Sequence, residues 1–126
     1  MHALRRVHEA LRPGAILLDL MPFEAWLPVE NTAGVVGHVD AREFARDVVK
    51  TEAGLASVVD AGLFALERQL ELDVLEHFES APRLLEVVGE WGRTRIPARL
   101  RTRVGGAEPP FVVRERLVLR SFRALP

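Results

Sequence analysis

Apolar and polar residues alternate along this chain with two different periods, and the switches between them predict its elements. Leu4, Val7 and Leu11 recur at helical spacing, with Arg5, Arg6 and Glu9 facing away, so residues 3–12 predict a short amphipathic helix. Pro13-Gly14 stops it, because proline disfavours helix in the residue before it and glycine accepts a left-handed turn. The run Ala15-Ile16-Leu17-Leu18-Asp19-Leu20 is nearly unbroken in apolar character. Such a run predicts a strand buried on both faces, as in the centre of a parallel sheet, ended by Pro22.

Residues 21–39 hold Pro22, Pro28, Gly34 and Gly37 and predict a loop, with one edge strand at Val35–Val39. Asp40 and Glu43 have the spacing of a capping box. Phe44, Val48, Leu55, Val58 and Val59 then keep a helical period to about Leu66, which Gly54 and Gly62 interrupt. Leu70, Leu72 and Val74 alternate with Glu71 and Asp73, predicting a half-buried strand at about 68–78. Ser80 is placed to cap a helix over 81–91, with Pro82 in its tolerant first turn. Residues 92–110 predict a connector with a short helix at 97–103. Phe111, Val113, Leu117 and Leu119 alternate with Arg114, Arg116 and Arg120 and predict a final strand over 111–123. Strands interleaved with helices predict an α/β fold, a small mixed sheet with flanking helices.

Composition adds bounds. A chain of 126 residues, 48% hydrophobic and 28% charged, suits one domain with a modest core. The longest apolar runs are too short to span a bilayer, and the expected setting is the cytoplasm, with no membrane partner. Without cysteine there is no disulfide, no thiolate metal site and no nucleophilic thiol.

The net charge of −1 hides an asymmetry. Residues 40–91 carry 12 acidic and 5 basic side chains, whereas residues 92–126 carry 9 arginines against Glu108 and Glu115. A basic tail is one signature of nucleic-acid binding. Here the arginines alternate with strand residues and no aromatic platform accompanies them, so mutual neutralisation within the chain is the expectation and nucleic acid is not the expected partner. Cross-strand pairing of Glu71 and Asp73 with Arg114, Arg116 and Arg120 is the specific form it would take.

Chemistry-bearing residues are sparse. His2, His8, His38 and His77 lack the spacing of a metal site. Ser57, Ser80 and Ser121 lack a nucleophile elbow. Trp26 and Trp91 read as packing residues.

The segment Arg6-Val7-His8-Glu9-Ala10-Leu11-Arg12-Pro13-Gly14, followed by Ala15 to Leu20, resembles the helix and fifth strand of class I S-adenosylmethionine-dependent methyltransferases. On that resemblance the strand near 68–78 would be the sixth. The strand at 111–123 would be the seventh, inserted antiparallel between the other two. The chain would then be a single half-domain over 1–126, the C-terminal half of the Rossmann-like fold without its N-terminal cofactor cradle. Ala15 replaces the second glycine of the family's turn. Two origins compete, a truncated longer enzyme and a stand-alone half-domain. S-adenosylmethionine is the cofactor the resemblance implies, but no cofactor-binding residue carries over. The isolated chain is expected neither to bind it nor to transfer methyl groups. Catalytic residues are not identified. The end of the fifth strand maps onto Asp19, Met21, Pro22, Phe23 and Trp26 as a pocket wall. The missing fourth strand would leave Ala15–Leu20 as an open edge, to be covered by a second copy or another chain. The alternative reading is a small α/β ligand-binding or oligomerisation module unrelated to methyl transfer.

Overall fold

The structure, a computed structural model, describes residues 2–126. In chain order the elements are α1 (His2–Ala10), β1 (Ile16–Pro22), β2 (Trp26–Asn31), β3 (Gly34–Asp40), α2 (Arg42–Asp60), β4 (Phe64–Phe78), α3 (Ala81–Gly89), α4 (Ala98–Gly106) and β5 (Phe111–Ala124). The five strands form a sheet of order β1-β5-β2-β3, and β4 also pairs with β5. The pairings of β1 with β5, β2 with β3 and β2 with β5 are antiparallel.

The chain divides into two compact units. One comprises residues up to Pro22, Asp47–Leu72 and Leu117–Pro126; the other comprises Phe23–Arg46 and Asp73–Arg116. Each has its own core. In the first, Leu55, Val58, Phe64, Phe122 and Ala124 are buried, and Leu4, Leu11 and Leu17 pack against them. His8 joins this core edge-on to Phe64, with ring centroids 5.3 Å apart, and its Nε2 lies 2.8 Å from the Leu125 carbonyl oxygen. In the second, Leu27, Val29, Val39 and Phe78 pack with Leu84 and Val88 of α3, Leu100 and Val104 of α4, and Phe111 and Val113.

Several boundaries follow the sequence closely. The turn at Pro13-Gly14 has Gly14 at φ +85°, with its N–H donating to the Ala124 carbonyl at 2.8 Å. Ser80 caps α3, its Oγ accepting from the Arg83 N–H at 3.2 Å. The edge strand at 35–39 is β3, which ends the sheet order. The short helix in the connector is α4.

Four expectations are corrected. The strand at Ala15–Leu20 is neither parallel nor doubly buried: β1 runs antiparallel to β5, and Ile16, Leu18 and Leu20 are 44%, 65% and 54% exposed. Only its alternate residues Leu17, Asp19 and Met21 face cover, so β1 is a terminal strand with one dressed face. Residues 21–39 are not a loop but mostly the β2–β3 hairpin. Its turn is tightened by Asn31, whose Oδ1 accepts from the Ala33 N–H at 2.9 Å. Pro28 is tolerated because β2 meets β5 only at Val29 and Glu30, leaving Pro28 outside that ladder.

The long helix also stops earlier than its apolar period suggests. Leu63 N–H donates to the Val58 carbonyl and Gly62 N–H to the Val59 carbonyl, each at 3.0 Å, with Gly62 at φ +76°. That is a Schellman closure, which satisfies the last carbonyls of α2 and turns the chain directly into β4. The strand consequently begins at Phe64 rather than 68. The Asp40–Glu43 capping box does not form either. Asp40 Oδ1 accepts instead from the Arg42 N–H at 3.0 Å, and Glu43 pairs with Arg93 at 3.6 Å.

Candidate functional site

The β2–β3 hairpin brings together groups that the linear order separates. Trp26 opens β2 and lies opposite Asp40, the last residue of β3. Asp40 is 9% exposed and tied down on both sides. Its backbone exchanges hydrogen bonds with Arg95 at 2.9 and 2.8 Å, and its carboxylate accepts a bidentate pair from Arg42, Nε at 3.0 Å and Nη2 at 2.9 Å. The Arg42 hydrogen bond holds the Asp40 carboxyl below its ordinary pKa. The same guanidinium lies 4.8 Å from the centroid of the Trp26 ring, within cation–π range. Asp40 thus fixes Arg42, and Arg42 fixes an indole that stays 42% exposed.

Helix α4 closes on this hairpin at Gly37. A Cβ there would come within 2.8 Å of Leu100 Cδ1, and Leu100 is itself only 2% exposed. Glycine is therefore what lets α4 seat against β3. The seating leaves a cavity of about 590 Å³, lined by Trp26, Gly37 and His38 of the hairpin, by the N-cap Pro97, and by Ala98, Arg99, Leu100 and Arg103 of α4.

Seven of the nine arginines in residues 92–126 fall on two elements, β5 and α4. Every arginine of β5 is paired. Arg114 donates to Glu30 at 3.0 Å and to Asp73 at 2.9 Å, and Arg116 to Asp73 at 3.3 Å. Arg120 donates to Asp19 and Glu52, and Arg123 to Glu67. Intrachain neutralisation therefore holds for β5, with Asp73 in the role expected of it. Arg120 differs, because its carboxylates are Asp19 and Glu52 rather than the β4 pair. Arg99, Arg101 and Arg103 of α4 have no ion-pair partner among the described residues. Two of them, Arg99 and Arg103, line the cavity.

Of the five pocket-wall residues read from the sequence, Trp26 lines this cavity and the others do not. Asp19 is engaged by Arg120 at 2.7 Å, and Phe23 is 44% exposed. Met21 and Pro22 close β1, opposite Val118 and Leu117 of β5. Trp91 packs against the second core as expected, whereas Trp26 does not behave as a packing residue. His38 and the α4 arginines were not singled out as a group by sequence reasoning. Their common signal is weak, since it requires knowing that residues 26–40 form a hairpin.

Among the described residues no cluster of histidine and acidic side chains could hold a metal ion. Among the same residues no helix is long and apolar enough to cross a membrane. Comparisons with family models, curated proteins and solved structures gave no match for this chain.

Proposed function

We propose that the chain is a methyltransferase-like half-domain that serves as an assembly module, joining a second copy of itself through the open edge of β1. The observation that carries this reading is β1 itself. It is the terminal strand of the sheet, and it presents Ile16, Leu18 and Leu20 to solvent. Natural edge strands are commonly blunted by lysine, proline or an unpaired inward charge. From Ile16 to Met21 this one has none: its single charge, Asp19, is already bound by Arg120.

The methyltransferase part rests on the opening motif and on layout. In the resemblance, the seventh strand runs antiparallel between the fifth and sixth. Here β5 pairs antiparallel with β1 and also with β4, an order that agrees with that layout. S-adenosylmethionine remains the cofactor of the implied family, and no residue of this chain is assigned to it. An isologous dimer would extend the sheet from β1 to β1, pair the free backbone groups of both edges and set the two apolar rows side by side.

Light scattering on the purified chain tests the assembly, with calorimetric titration of S-adenosylmethionine on the same sample. The expected mass is twice 14.1 kDa. Leu18→Lys, at a position 65% exposed, should return the chain to monomer without loss of fold. A monomeric wild-type chain overturns the assembly reading. Saturable binding of S-adenosylmethionine overturns the expectation that the isolated chain does not bind it.

A further inference from the structure

We propose that the cavity between α4 and the β2–β3 hairpin binds a small planar phosphate ester of the size of a nucleoside monophosphate. The proposal is independent of the β1 edge. Three features converge on it.

The first is room. About 590 Å³ lies within the range of small-molecule sites. The second is a flat apolar surface prepared in advance. Trp26 is exposed at the cavity wall, yet its ring is steadied by Arg42, which is itself gripped bidentately by Asp40. A large aromatic left partly in water, with a three-residue chain holding it in place, is arranged for stacking. An indole serving only as packing would be less exposed, as the partly buried Trp91 is.

The third is unneutralised positive charge. Arg99 and Arg103 stand four residues apart on α4, so their side chains emerge on one face, roughly 6 Å apart at Cβ. Like charges at that spacing destabilise a helix. The arginines of β5 are all matched to carboxylates, whereas these two face a cavity and have no ion-pair partner among the described residues. A phosphate between them would receive the paired N–H donors that guanidinium groups supply to such anions. His38, also on the wall, adds a ring nitrogen able to hydrogen-bond a phosphate oxygen. The ligand therefore needs an anionic group for α4 and a planar body for Trp26.

Titration calorimetry of the whole chain with adenosine monophosphate tests this, with adenosine, inorganic phosphate and a short single-stranded oligonucleotide as separate arms. The expected result is saturable binding of the monophosphate at roughly 10–100 μM, with adenosine and phosphate each at least tenfold weaker. The double substitution Arg99→Gln/Arg103→Gln should weaken binding at least tenfold, and Trp26→Leu likewise. Arg101→Gln, on the same helix but off the cavity wall, should change it less than twofold. The arginine positions are exposed, so circular dichroism and melting temperature should stay unchanged and separate a lost site from a lost fold. No saturable binding up to millimolar monophosphate overturns the proposal. So does equal weakening by Arg101→Gln, which would mean bulk charge, or binding of the oligonucleotide alone.

Discussion

Arg120 Nη2 donates to Asp19 Oδ2 at 2.7 Å across the β1–β5 ladder, and the two side chains are only 13% and 14% exposed. The same guanidinium reaches Glu52 on α2, whose hydrogen bond is the main reason the Arg120 pKa is raised. One side chain thus ties an edge strand, an interior strand and a helix of one unit together. Two carboxylates held by a single cation become a liability when that cation is removed.

Arg120→Ala should accordingly destabilise the chain by roughly 3 kcal/mol, most of it the cost of leaving Asp19 covered and unpaired. The double change Asp19→Leu/Arg120→Met should cost less than Arg120→Ala alone, because it removes the orphaned charge and substitutes apolar contact. Urea unfolding of the three proteins checks the order. If Arg120→Ala lies within 0.5 kcal/mol of wild type, roughly the value of an exposed pair, the network is a surface feature only.

At Gly37 the argument is steric. A valine there would drive its branches into Leu100, which cannot retreat because it is buried among Val39, Val104 and Phe111. Overpacking of this kind costs about 1–3 kcal/mol. Gly37→Val should lower the urea midpoint, and the combined loss with Leu100→Ala added should be smaller than the sum of the two single losses, because the truncation opens space for the valine. An unchanged midpoint in Gly37→Val would show that α4 does not sit closely on β3.

The sequence made the helices and the final strand legible because each has a period and a stop signal. Ser80 before Ala81-Pro82, and Pro13-Gly14 after α1, act locally, so they can be read locally. The failures had physical causes of three kinds. Gly62 interrupts a helix whose apolar period continues to Leu66; its left-handed backbone ends the helix, and Leu63 packs beside Val58 as the closure requires. The hairpin was hidden by Pro28 and by a register shift between Val29 and Glu30, which breaks the alternation a strand should show. The run at Ala15–Leu20 looked doubly buried because an apolar side chain records only what could cover it, not whether something does. The cavity was legible only through Trp26. Arg99, Arg103 and His38 acquire meaning together once the hairpin and α4 are in place.

Two carboxyl groups should give the fold opposite responses to acid. Asp40 has a lowered pKa in the folded state, chiefly through its hydrogen bond from Arg42. Its contribution is whole above the ordinary aspartate value near 3.8 and is lost as pH falls through the lowered folded value. Glu115 has a raised pKa, first because it is half-buried on β5 and second because Glu76 lies near it. For an acid this reverses the sign. The folded state holds the proton more tightly, so ionisation costs stability above the folded value. That cost shrinks as pH falls toward the ordinary glutamate value near 4.5, and below it the cost is gone. Glu115→Gln should therefore raise the melting temperature at pH 7 by roughly 2–4 °C, with the gain vanishing by about pH 4. Asp40→Asn should lower it at pH 7, with the deficit narrowing only in strong acid. Thermal melts of wild type and both variants between pH 7 and 2.5 measure the two slopes. A Glu115→Gln gain that persists unchanged at pH 3 would mean that packing, and not the carboxylate charge, sets the effect.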